Sequence, residues 1–163
     1  MNIKSAGVLA LAMFGFAASS AQALTVTNTM PVKIIIQNAC NVTTTNPTPM
    51  DFGTQGPLVA NIDQTSTISV ICTTGALYNV GINGGSSGSV TARTMLNGAT
   101  PVNYALFRDN ARTLNWGTTV GTDTLAGTGN GTTQALTVYG RVPPQTTPAA
   151  GTYNDTVTVT VTY

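Results

Sequence analysis

The residues able to do chemistry are few. The chain has 163 residues with no His, no Glu, five Asp and two Cys. Without imidazole there is no base for a Ser-His-Asp or Cys-His centre and no His ligand for a metal. The five carboxylates, Asp51, Asp63, Asp109, Asp123 and Asp155, lie singly, with no calcium-loop spacing and no neighbouring pair suited to glycoside hydrolysis. Gly127-Thr128-Gly129-Asn130-Gly131 and Gly84-Gly85-Ser86-Ser87-Gly88 have the look of phosphate cradles. Neither opens a helical pattern or carries the required lysine, so both read as turns. Lys33 is the single lysine beyond Lys4, a poor supply of base for the abundant Ser and Thr. Tyr78, Tyr104, Phe107, Trp116 and Tyr139 fall in strand-like stretches, where aromatic side chains fill a core more often than they stack on sugar. No catalytic residue, cofactor or metal site is expected, and the chain does not read as an enzyme.

One covalent possibility remains. Cys40 and Cys72 are an isolated pair 32 positions apart, without CxxC spacing or further ligands, and in an oxidising compartment they form one structural disulfide; a redox or metal pair is the alternative. The start of the chain supplies that compartment. Met1 to Lys4 is positively charged, Ala6 to Ala18 is apolar, and Ala21-Gln22-Ala23 matches signal-peptidase cleavage after Ala23. Residues 1–23 therefore read as a secretory signal, too short in its apolar run to span a bilayer, with no membrane span left after its removal. Beyond it, Lys33, Arg93, Arg108, Arg112 and Arg141 balance the five Asp. With 7% charged residues and a formal net charge of +1 the chain cannot steer nucleic acid, and without the signal its charges balance, a neutral surface that favours association.

The elements that position these groups are strands. From Leu24 onward no apolar stripe has helical spacing, whereas period-two alternation recurs. In GTYNDTVTVTVTY, Tyr153, Val157, Val159, Val161 and Tyr163 share one face, with Asp155 in phase, and Thr156, Thr158, Thr160 and Thr162 the other. In LTVTNTMPVKIII, Leu24, Val26, Met30, Val32, Ile34 and Ile36 share a phase interrupted by Asn28, and Pro31 divides the stretch or marks an edge. Strands are expected over 66–72, 78–82, 90–96, 101–107, 113–116 and 134–142, with a hairpin turn at Asn97-Gly98, a second hairpin tip at Arg108 to Ala111, and loops over 46–49, 121–132 and 143–151. Eight or nine short strands predict an all-β, two-sheet sandwich.

An uncharged, alternating strand at Val157 to Tyr163 lacks the Lys, Glu or Pro that normally blunt a sheet edge. The spare alternating segment beside it is Leu24 to Met30. Either this segment closes its own sandwich, giving a monomer, or it completes a neighbour's, giving a polymer by β-strand addition.

Three runs, ISVICTTGALYNVGINGG (68–85), YALFRDNARTLNWGTT (104–119) and VYGRVPPQTTPAAGTYNDTVTVTVTY (138–163), resemble the spore coat protein U domain family, which includes pilins of the archaic chaperone-usher pathway. The resemblance covers essentially the whole chain after the signal. It implies an incomplete immunoglobulin-like β-sandwich completed by donor-strand exchange. Its acceptor groove would be lined by Val157, Val159, Val161 and Tyr163, and its donor would insert Leu24, Val26, Met30 and Val32. The implied organisation is a donor segment over 24–36, merging into the first strand, and a pilin domain over 32–163. Implied partners are a periplasmic chaperone, an outer-membrane usher, and identical or related pilin subunits. The implied destination is the cell surface, reached through the periplasm, where a fibre supports adhesion and biofilm formation. A spore or cell coat is the alternative setting, and a monomeric carbohydrate-binding module using Trp116 is the alternative of a different class.

Overall fold

The computed structural model describes residues 24–42 and 48–163. The expected signal, including the Ala21 and Ala23 cleavage pattern, lies outside the described residues. The chain divides into two units, Met1–Ile34 and Ile35–Tyr163. Of the first, residues 24–34 have no regular secondary structure and their side chains are exposed.

The second unit is all-β. In chain order its strands are β1 (Cys40–Val42), β2 (Ile62–Cys72), β3 (Leu77–Ile82), β4 (Arg93–Asn97), β5 (Thr100–Phe107), β6 (Leu125–Thr128), β7 (Thr133–Val142) and β8 (Val159–Thr162), with one turn of 3-10 helix at Gly85–Ser87. They form a five-stranded sheet ordered β1-β2-β7-β5-β4 and a three-stranded sheet ordered β6-β3-β8, and every pairing is antiparallel.

Alternation explains why these stretches pack as they do. Ile68, Val70 and Cys72 of β2, Tyr78, Val80 and Ile82 of β3, Val102, Tyr104 and Leu106 of β5, and Val138 and Val142 of β7 turn inward and are buried. Trp116 is fully buried between the sheets, and its indole N–H donates to the Val80 carbonyl at 2.7 Å. A face so enclosed cannot stack on a sugar, which removes the basis for a binding module centred on Trp116. Of the other aromatic candidates, Tyr78 and Tyr104 are buried, Phe107 is half-buried, and half-buried Tyr139 lies beneath the Arg112 guanidinium at 5.6 Å.

Cys40 and Cys72 are direct partners in the β1–β2 register, and they form the disulfide with an S–S distance of 2.08 Å. β1 is only three residues long and lies at a sheet edge, so the bridge reinforces a short ladder. In the chain-entropy model, closing this loop contributes about 3–4 kcal/mol. Reduction should lower the denaturant midpoint by the corresponding amount without changing the sheet order. Urea unfolding of oxidised and reduced protein checks this, and equal midpoints would contradict it.

Four expectations are corrected. Residues 32–36 join no strand, and the first strand is Cys40–Val42. The 121–132 loop contains β6, which pairs with β3 from Val80↔Leu125 to Leu77↔Thr128. The 113–116 arm reduces to one bridge, Phe107↔Asn115, because Asp109 instead caps the tip, accepting from the backbone N–H groups of Thr113 and Leu114 at 3.0 and 2.7 Å. The last strand is shorter than its alternation: only Val159–Thr162 forms a ladder.

Candidate functional site

β8 pairs with β3 from Ile82↔Val159 to Asn79↔Thr162, and among the described residues it has no ladder partner on its other side. Beside it a groove of about 370 Å³ opens into the sandwich. Its floor is core: Ile68 of β2, Tyr104 and Leu106 of β5, and Val138 of β7. One wall is the segment Thr48 to Phe52, and the other is the segment Tyr153 to Val157 with Val159. Thr48 is pinned to β2, its N–H donating to the Thr67 carbonyl at 3.0 Å and its hydroxyl accepting from the Thr67 N–H at 2.9 Å. Met50 and Phe52 then lean over the five-stranded sheet, close enough that a side chain at Gly140 would collide with both.

The expected face of the last strand is present but incompletely covered. Tyr153, Val157, Val159 and Val161 are all half-buried, whereas Thr156, Thr158, Thr160 and Thr162 are exposed. Val157 and Val159 line the groove, Val161 continues the same face within β8, and Tyr163 is 62% exposed. Half-buried valines in phase with a full core signify a sheet layer with apolar surface still to cover. Leu24, Val26, Met30 and Val32, the other candidate set, are exposed at 95, 97, 82 and 85%.

The second wall carries a polar cluster. The chain pairs with β4 through the bridge Leu96↔Asn154, then passes to the edge of β3, where the Thr158 carbonyl accepts from the Asn83 N–H at 3.0 Å. Midway along this crossing the Asp155 carboxylate accepts four hydrogen bonds: from the Tyr104 hydroxyl at 2.6 Å, the Ser86 hydroxyl at 2.6 Å, and the backbone N–H groups of Ser86 and Thr156, both at 2.8 Å. Burial pushes the Asp155 carboxyl up, but the donors from Ser86, Tyr104 and Thr156 outweigh it, so the group sits below the ordinary aspartate range. Burial, and the hydrogen bond to Asp155, push the Tyr104 phenol well above its usual range, so it remains a donor.

Nearby, Arg93 of β4 is fully buried without a carboxylate partner. Its guanidinium donates to four backbone carbonyls: Asn83 at 2.9 Å, Val90 at 2.7 Å, Ile82 at 2.9 Å and Trp116 at 2.6 Å. It thereby ties the five-stranded sheet to the end of β3. Burial lowers its pKa, an effect opposed by Tyr104, Asp155 and Asp123.

Val157 and Val159, expected on one face, both line the groove. Sequence reading missed Met50 and Phe52, which follow a proline-rich loop signal, and the partnership of Tyr104 with Asp155, 51 positions apart. The available signal was phase: Tyr104 alternates with Val102 and Leu106, and Asp155 with Tyr153 and Val157. Among the described residues no group of three or more His, Cys, Asp or Glu side chains could hold a metal, and no helix is long and apolar enough to cross a membrane. The site offers shape and backbone hydrogen-bonding capacity.

The comparisons agree with this architecture. The family model described as Spore Coat Protein U domain matches residues 26–160. "Protein U" of Myxococcus xanthus is 33% identical over 160 residues, covering 89% of each chain. Among solved structures, the chaperone–tip adhesion subunit pre-assembly complex CsuC–CsuE, from archaic chaperone-usher Csu pili of Acinetobacter baumannii, matches with a TM-score of 0.57 at 22% identity. That match covers 78% of this chain and 40% of the other, and it carries the immunoglobulin-like fold.

Proposed function

Because the chain belongs to the Spore Coat Protein U domain family, we propose that it is a structural subunit of a secreted surface fibre, joined to its neighbours by donor-strand exchange. The carrying observation is the free edge of β8 beside an open groove, in a chain that also has an exposed, alternating apolar segment at 24–36. In this reading residues 24–36 of one copy lie along β8 of another. Leu24, Val26, Met30 and Val32 cover the face of Val157, Val159, Val161 and Tyr163, and residues 32–163 are the accepting pilin domain.

The energetics support it. Burying four such side chains contributes at most about 6–12 kcal/mol before the entropy of ordering the segment is subtracted. Main-chain hydrogen bonds to the free edge add to this, and dissociation then requires opening a completed sandwich, which makes it slow. No external energy is needed if a weaker occupant holds the groove first. A periplasmic chaperone is that occupant in our reading, and an outer-membrane usher is where it is exchanged for the next subunit. The solved relative, itself a chaperone–subunit complex, is the support for such a partner. Residues 1–23 supply the export signal, and the fibre serves adhesion and biofilm formation.

The family's description favours a second setting, a spore or cell coat assembled by the same exchange. A periplasmic chaperone that co-purifies with the chain would assign it to the pilus, and assembly without one would assign it to the coat.

Size-exclusion chromatography of the exported chain, with and without excess synthetic peptide matching Leu24 to Ile36, tests the shared mechanism. The peptide should convert large species into a one-to-one complex of monomer size. An unchanged profile with no peptide retained would contradict strand acceptance.

A further inference from the structure

The crossing between sheets lines the groove, with Asp155 and Thr156 beside Tyr104, Val157 and Val159. The crossing runs from Asn154, bridged to Leu96 of β4, to Thr158, bonded behind Asn83 at the end of β3. Tyr104 rises from the floor of the five-stranded sheet and holds the middle of this crossing through Asp155. Ser86, in the 3-10 turn, holds the same carboxylate from the other side. The turn is built to admit it: Gly85 lies at φ +58°, and a side chain there would collide with the Asp155 carboxylate. The Tyr104 ring is itself fixed, edge to face with Phe52 at 6.4 Å and 61°.

We propose that the Tyr104–Asp155–Ser86 strut is the end stop of the groove and fixes the register of an inserted strand. The proposal deepens the strand-donation reading and rests on it. An apolar side chain beside Val157 or Val159 meets apolar surface. One placed a step further meets a carboxylate whose four donors it cannot replace, so entry there would break charged hydrogen bonds and bury the ion against hydrocarbon. Register needs such a device because side chains of an added strand repeat every second residue: a slip by two leaves the same face inward and changes only which subsite each fills. Leu24, Val26, Met30 and Val32 are similar enough that the valine face alone discriminates poorly among slipped alignments. Tyr104, Asp155 and Ser86 are thus positioning residues for the incoming strand.

The test is cross-linking of the full chain bearing Val161→Cys with peptides matching 24–36, each carrying one of Leu24→Cys, Val26→Cys, Met30→Cys or Val32→Cys. Protein without Val161→Cys serves as the control for exchange with the native disulfide. With the strut intact, one peptide position should cross-link more than about tenfold over the others, the discrimination expected from one hydrogen bond to a charged group. Tyr104→Phe, which keeps the ring and removes only the hydroxyl, and Ser86→Ala should each spread the product over positions two residues apart while peptide is still retained. A purely structural strut would lower thermal stability in these variants and leave the single cross-linked position unchanged; that result overturns the proposal. No cross-link in the intact-strut protein, with no peptide retained, would instead overturn strand acceptance itself, and the register role with it.

Discussion

A chain lacking Leu24 to Met30 is expected to fold, to keep its Cys40–Cys72 disulfide, and to form no fibres at all. The deletion removes no ladder pair, since no residue of 24–39 joins a strand, and Leu24, Val26 and Met30 are more than four-fifths exposed. Folding stability of the remaining domain should therefore change by less than about 1 kcal/mol. Polymerisation should be abolished, because every junction needs one donor and the deletion removes it from every copy. Far-ultraviolet circular dichroism and thiol titration check the fold, while electron microscopy and sedimentation check assembly. The shortened chain retains its own β8 and groove, so it should still cap a fibre end or bind the synthetic segment. Fibres of normal length from the deleted chain would refute strand donation. A deleted chain that fails to fold would show instead that the segment belongs to its own domain.

The second large effect concerns Arg93. Its replacement by Met should destabilise the domain by about 3–5 kcal/mol and lower the melting temperature by roughly 10–20 °C. Met keeps much of the apolar stem, so the loss isolates the guanidinium. Four carbonyls, from Asn83, Val90, Ile82 and Trp116, lose a charged donor at once. The usual argument that a buried charge is easily replaced by hydrocarbon depends on removing its partners too, and here the partners are backbone. Arg93→Lys should fall between, since an ammonium offers three donors from one point and cannot span acceptors on three segments. Calorimetry across the three proteins checks this order. A melting temperature for Arg93→Met within about 3 °C of the parent would show that the carbonyls find other donors.

Arg93 also shows where sequence reading stops. Counted as one of five balancing cations, it looks like surface charge; its burial follows from β4 lying at a sheet edge against the 83–92 loop, which no local pattern declares. Other features were legible because their cause is local. Asn97-Gly98 announced the β4–β5 hairpin, whose register closes at Asn97↔Thr100 with Gly98 at φ +59°, a conformation glycine adopts without cost. The disulfide was expected from an isolated pair of cysteines. β6 was hidden because Leu125–Thr128 has a single large apolar side chain and sits among glycines, so its pairing with β3 leaves little trace in composition. The last strand was read too long because alternation reports the face of a residue, not its ladder partner: Tyr153 to Val157 keeps the phase while crossing between sheets. For the same reason the alternation of 24–36 is real and yet forms no strand. Period two says only that such a segment suits a sheet; it does not say which chain supplies the neighbour.

In the proposed assembly β8 is an unfinished edge awaiting a strand from another molecule. Amide hydrogen exchange at Val157 to Thr162, measured on the full chain before and after adding the Leu24 to Ile36 peptide, tests it most directly. Amides along the free edge should exchange rapidly at first and become protected by at least about a hundredfold when the peptide is bound, with Met50 and Phe52 protected in parallel. Amides already protected in the monomeric chain, and unchanged by the peptide, would contradict it.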